Sequence, residues 1–168
     1  MFIIKINMVN MKKVLLSLAF ICLTAGANAQ NVYNEIRKNA SDIVANPATN
    51  NMVRQINQFK VDALDYMIIK MREQMPDSSA IFLDKQAYAM NTFINVYIRK
   101  VLDNKDMPQA QIVKIMQFFM DVSYSNPLFN DPDKELTLGY YSNGKCLTRF
   151  SLDTDWRRAV AAVAMEMK

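Results

Sequence analysis

Two groups of acids towards the C-terminal end have the residue types and spacing that oxygen-based chemistry needs. Asp131, Asp133 and Glu135 alternate along one stretch, with Asn130 ahead of them. Alternating oxygen ligands of this kind can hold calcium. Counted from Asp131, an EF-hand loop needs glycine at the sixth place and glutamate at the twelfth, where Leu136 and Ser142 stand. Acids at the start of a helix also offset its macrodipole and cap free N–H groups, and that reading is preferred for this cluster. Asp153 and Asp155 flank Thr154 just before Trp156. Two carboxylates beside an aromatic ring have the make-up of a glycosidase site, whose acid and base or nucleophile lie about 5–10 Å apart. Residues two apart at a helix start point in different directions, however, and capping accounts for both.

Other chemistries are excluded by composition. The chain has no histidine, which removes Ser–His and Cys–His nucleophilic systems, imidazole acid–base work and the usual zinc sites. Its three glycines, Gly26, Gly139 and Gly144, cannot build a glycine-rich phosphate cradle. Methionines are abundant, with Met67, Met71 and Met75 four apart and Met165 two before Met167. Thioether clusters bind Cu(I) in oxidising compartments, but Met67 and Met71 fall on a stripe expected to be core, where methionine fills gaps. No catalytic, cofactor-binding or metal-binding residue and no cofactor is assigned. The aromatics Phe129, Tyr140, Tyr141 and Trp156 fall near loops and element ends, and they are the candidate interaction surface.

The N-terminal region must be set aside before the elements are read. Lys12 and Lys13 precede an uncharged, mostly apolar run from Val14 to Ala25, followed by Ala27-Asn28-Ala29 and Gln30. This is the pattern of a cleavable export signal, too short to cross a bilayer as a permanent anchor. Cys22 follows Phe20 and Ile21 rather than small residues, which rules out lipoprotein processing. Translation starts either at Met1 or at Met11, and neither choice alters the cleavage. Removal of 29 of the 168 residues leaves 139, a single-domain length. The sequence pI near 9.0 belongs to the precursor. Lys5, Lys12 and Lys13 leave with the leader, so 17 of the 20 basic residues face 16 acidic ones and the mature chain is almost neutral. That gives no electrostatic case for nucleic acid. Cys146 then stands alone as the mature cysteine, so packing and not an internal disulfide must stabilise the fold.

Helical periodicity accounts for most of the mature chain. Val32 to Ala45 has Val32, Ile36, Ala40 and Ile43 three and four apart, and Asn46-Pro47 ends it. Thr49 or Asn50 caps a second helix reaching about Met75, with Met52, Ile56, Phe59, Ala63, Met67 and Met71 inward. After Pro76, Asp77 or Ser78 starts a third, with Leu83, Ala87, Met90, Ile94, Tyr97 and Val101 in the same rhythm. Asp106 as cap and Pro108 in the first turn open a fourth, with Ile112, Ile115, Met116 and Phe119 buried and Val113 and Met120 widening that face. Asp131-Pro132 predicts a short helix from Pro132 to Tyr141. The alternative is a hairpin, with Leu136 to Tyr141 and Lys145 to Leu152 flanking the turn pair Asn143-Gly144. A last helix begins near Asp153, with Trp156, Val160, Val163 and Met167 inward. The expected fold is all-α: a compact antiparallel bundle of five to six helices, with a possible short hairpin or irregular segment around 136–152.

Three stretches resemble a known family. NPLFNDPDKELTL (Asn126 to Leu138), FSLDTDWRRA (Phe150 to Ala159) and QFKVDALDYMIIKMREQMPDS (Gln58 to Ser78) are similar to small exported proteins of Gram-negative gut bacteria. The resemblance spans nearly all of the mature chain. It implies a helical envelope or secreted protein and carries over no catalytic residue. The functional expectation is an exported, periplasmic or secreted, non-enzymatic protein-interaction module. A carrier of a small apolar ligand is the runner-up, and a carboxylate-based hydrolase comes third.

Overall fold

The computed structural model describes residues 32–101, 106–131, 136–142 and 147–166, with the side chains of 136–142 and 147 outside that description. The described residues belong to one compact unit. Its architecture is an all-α bundle carrying one hairpin: α1 (Val32–Ala45), α2 (Asn51–Gln74), α3 (Ala80–Val101), α4 (Gln109–Ser125), β1 (Leu136–Ser142), β2 (Leu147–Ser151) and α5 (Trp156–Glu166).

Each helix forms because burial of its apolar stripe outweighs the ordering of its backbone; alone, such segments are marginal in water. On α2 the expected stripe is buried from Ile56 through Phe59, Ala63, Met67 and Met71, and on α3 from Ala87 through Met90, Ile94, Tyr97 and Val101. Asn50 caps α2 as expected, its side-chain oxygen accepting the Met52 N–H at 2.9 Å. The fourth helix opens later than expected. Pro108, not Asp106, is the residue before its first turn, and the Pro108 carbonyl accepts from the Gln111 and Ile112 N–H groups. Val113 is 44% exposed rather than part of the buried face, because that face turns through Met116, Phe119 and Val122.

The short helix expected over Pro132–Tyr141 is not formed. Its described part is a strand, and β1 pairs antiparallel with β2, Leu136 opposite Ser151 and Gly139 opposite Thr148, with an irregularity before Ser142 meets Leu147. The hairpin alternative is therefore the correct one. LTLGYYS contains glycine, threonine and tyrosines, which are poor helix formers, and the last two suit a pleated strand. On β2 the two-residue alternation is visible: Thr148 and Phe150 are buried and Arg149 is exposed. A lone hairpin is marginal. This one lies against α2 through β1 and α4 through β2, and sends Phe150 into the interior.

At the centre, α2, α3, α4, β2 and α5 each contribute an aromatic ring. Phe93 meets Phe119 at 5.1 Å, Phe150 at 5.5 Å and Trp156 at 5.5 Å between ring centres. Phe59 meets both Phe150 and Trp156, and Tyr97 meets Phe119 and Phe150. All these contacts are edge-to-face, the geometry the ring quadrupoles favour. The Tyr97 hydroxyl shares a hydrogen bond with Thr148, so its polar end is satisfied inside the core.

Helix α1 is attached by mixed contacts. Tyr33 and Ala40 are buried, while Arg37 makes a two-pronged bond to Asp65 of α2 at 2.6 and 2.8 Å. The Tyr33 N–H donates to Asp84 of α3 at 2.8 Å.

Candidate interaction surface

The segments that flank the hairpin, 126–131 and 151–155, are joined by one carboxylate. Asp153 is fully buried, and its Oδ1 accepts the N–H groups of Leu128 and Phe129 at 2.9 and 2.7 Å. Its Oδ2 accepts the Asp131 N–H at 3.0 Å. Successive backbone N–H groups that converge in this way form a concave site for an anion. The turn that lets them converge needs Asn130 in the left-handed region, at φ 53°, a conformation asparagine tolerates better than most residues.

Hydroxyls complete the junction. Ser123 Oγ accepts the Ser151 N–H at 2.9 Å and shares a hydrogen bond with Thr154. Thr154 donates to the Ser151 carbonyl at 2.7 Å, and the Asp155 N–H donates to the Asn126 carbonyl at 2.7 Å. Asp155 caps α5, its Oδ1 accepting from the Arg157 and Arg158 N–H groups and from Gln86. Capping therefore explains Asp155 but not Asp153, whose partners all lie in the preceding loop. Helix α5 accordingly begins after Asp155 rather than near Asp153.

The turn rests on the outward side of α2. Asp131 is 9% exposed, and its Oδ2 takes the Lys70 ammonium at 2.9 Å and the Tyr66 hydroxyl at 3.0 Å. Burial, reinforced by the hydrogen bond to Asp131, pushes the Tyr66 phenol well above its ordinary value. The hydrogen bond to Asp131 likewise raises Lys70. Phe129 stands edge-on to Tyr66 at 6.1 Å and is half-buried, with Asn130 exposed beside it. Three residues along α2 from Tyr66, Ile69 is 52% exposed. Tyr66, Ile69, Phe129 and Asn130, with Lys70 and Glu73 at the margin, thus form a mixed apolar and polar patch on an ordered turn.

Of the residues expected at the surface, Phe129 belongs to this patch. Tyr140 and Tyr141 lie in β1, and their side chains are outside the description. Trp156 is corrected: it is 0% exposed, packed against Phe59 and Phe93 at the centre of the core. A tryptophan at the first turn of an amphipathic helix lies on whichever face its stripe dictates, and this stripe points inward. Of the acidic candidates, Asp131, Asp153 and Asp155 are engaged as described, while Asp133 and Glu135 lie outside the described residues. Asp153 and Asp155 do not act as a facing pair, since one is saturated by backbone N–H groups and the other caps a helix. Among the described residues no three His, Cys, Asp or Glu side chains converge as a metal site would require.

Periodicity did not signal Tyr66, Ile69 or Lys70, because they lie off the buried stripe of α2. The clue available for the turn was Asn130, a residue type enriched in left-handed backbone. A separate recess of about 230 Å³ lies where α2 turns into α3, lined by Ile68, Met71, Met75, Pro76 and Leu83 with Arg72 at its side. It falls below the roughly 300–1,000 Å³ of small-molecule sites. No helix of the described residues is long and apolar enough to cross a membrane. Comparison with known protein families, curated proteins and solved structures finds no match to this chain.

Proposed function

We propose that this chain is an exported protein that acts by binding another macromolecule through the patch of Tyr66, Ile69, Phe129 and Asn130. The observation that carries the reading is the Asp153 carboxylate, which holds three N–H groups of one turn and so presents Phe129 and Asn130 in a fixed geometry. A turn ordered before binding loses less entropy on binding. Half-buried aromatics beside an exposed aliphatic side chain, rimmed by charge, have the make-up of a recognition surface. The leader-like N-terminal sequence and the resemblance to exported helical proteins support placing that partner in the periplasm or outside the cell. The aromatic core occupies the space between helices in which a carrier would hold its ligand.

The test is site-specific photo-crosslinking in the cell envelope. A crosslinker at Phe129 or Ile69 is expected to yield one discrete protein adduct, and the same group at exposed Lys38 on α1 none. Equal yields at all three sites, or no adduct at any, overturn the patch. Peptide mapping of the exported protein is expected to begin at Gln30; peptides from before Ala29 overturn the export assignment.

A further inference from the structure

Lys60, in the third turn of α2, is half-buried, and its Nζ donates to the amide oxygen of Asn91 on α3 at 2.8 Å. That acceptor is neutral. One helical turn before and after Lys60 on α2 stand Ile56, Asn57, Ala63 and Leu64, all buried and none charged. On α3 the charged residues nearest Asn91 in the chain are Lys85 and Arg99, about 9 and 12 Å away along the helix axis. Asp62, two residues on from Lys60, accepts from Gln58 at 2.7 Å. Among the described residues Lys38 and Lys70 form ion pairs, and Lys60 belongs to none. Burial strips water from an ammonium, and here no carboxylate replaces it. Burial accordingly pushes Lys60 below the ordinary lysine value, and no charged neighbour offsets it.

A lysine in this setting serves as a nucleophile rather than as a point charge. We propose that Lys60 is an aldehyde-reactive site, its nitrogen aimed by the hydrogen bond to Asn91. In the neutral amine one N–H is committed to Asn91, and the lone pair takes no part in that bond. The lone pair attacks the carbonyl carbon of the aldehyde, forming the C–N bond as the C=O π pair moves to oxygen. That oxygen takes both protons of the nitrogen and leaves as water, and a C=N bond remains. The step is reversible and needs no oxidant, reductant or activated leaving group, so an aldehyde suits Lys60 better than an acyl donor. This reactivity does not depend on the binding patch of Tyr66 and Phe129.

The test treats the folded protein with limiting formaldehyde near neutral pH. Cyanoborohydride fixes each imine as a methylated amine, and peptide mass mapping gives the rate at each lysine. Lys60 is expected to be methylated several-fold faster than Lys38, which is exposed and paired with Asp42. A rate equal to that of Lys38, or slower, overturns the proposal. In urea-unfolded chain the preference is expected to disappear. Its survival there also overturns the proposal, since the local sequence and not the fold would then be the cause. Asn91→Asp puts a carboxylate beside the nitrogen and favours the ammonium. This variant is expected to slow Lys60 several-fold and to leave Lys38 unchanged, and an unchanged Lys60 overturns the proposal. The comparison of Lys60 with Lys38 stands even if Asn91→Asp fails to fold.

Discussion

The centre of the bundle and the junction around Asp153 are both buried, yet they are held by different physics. In the centre, six rings from five elements meet edge-to-face, and each contacts several others. At the junction, a single carboxylate and two hydroxyls hold the segments 126–131 and 151–155 through directional bonds. Apolar packing is non-directional and shared among many contacts, so losing one group weakens everything a little. A buried acceptor with three donors is all-or-nothing, since removing it strands every donor at once. The core therefore sets whether the chain folds, and the junction sets the shape of one exposed turn.

The largest test of that contrast is Trp156→Ala. Removing a fully buried tryptophan leaves a cavity, and the loss expected in urea unfolding is about 3–5 kcal/mol, with every structural probe changing together. Asp153→Asn comes next, at about 2–3 kcal/mol, because the amide keeps one acceptor oxygen for three donors. Amide hydrogen exchange should then accelerate at Leu128, Phe129 and Asp131 while α2 and α3 stay protected. Uniform acceleration throughout would erase the distinction between the two regions. Asn130→Val is expected to cost about 1–2 kcal/mol and Asn130→Gly to be tolerated, since only the first opposes a left-handed backbone. Similar melting of both variants would count against the turn geometry.

Tyr66→Phe is the smallest change, about 1 kcal/mol for one hydrogen bond. It carries a pH signature. Burial and Asp131 raise the phenol above its ordinary 10.0, so its stabilisation is full below pH 10 and is lost as pH rises through the higher folded value. Lys70, raised from 10.5 by its bond to Asp131, works in the same direction. Lys60, lowered by burial, works in the opposite one, adding stability as pH climbs towards 10.5. Burial also raises Tyr33 and Tyr124, so ultraviolet titration of Tyr66→Phe should lose one late-ionising tyrosine and keep others; an unchanged titration curve would remove Tyr66 from the junction.

Legibility in the sequence follows the same division. The stripes of α2 and α3 are readable because a spacing of three and four repeats along most of each helix, and on α4 one exception, Val113, leaves the pattern intact. The hairpin was ambiguous because the Asp131-Pro132 start signal and the Asn143-Gly144 turn signal compete over about a dozen residues. Proximity to a loop suggests an exposed Trp156, but its place on an inward stripe decides its burial. Asp153 stands out as an acid, but its role as acceptor for the turn is not legible in the sequence. Its donors lie 22 to 25 residues earlier in the chain, and no spacing rule links a carboxylate to backbone N–H groups that distant.

A strand at a sheet edge presents unpaired backbone groups on which a strand from a neighbouring molecule can grow. On the outer side of β2, the Ser151 N–H is taken by Ser123 and the Arg149 N–H by the Met120 sulfur at 3.2 Å, both from α4. Helix α4 thus stops the edge of its own sheet at those two positions, and a foreign strand finds no template there.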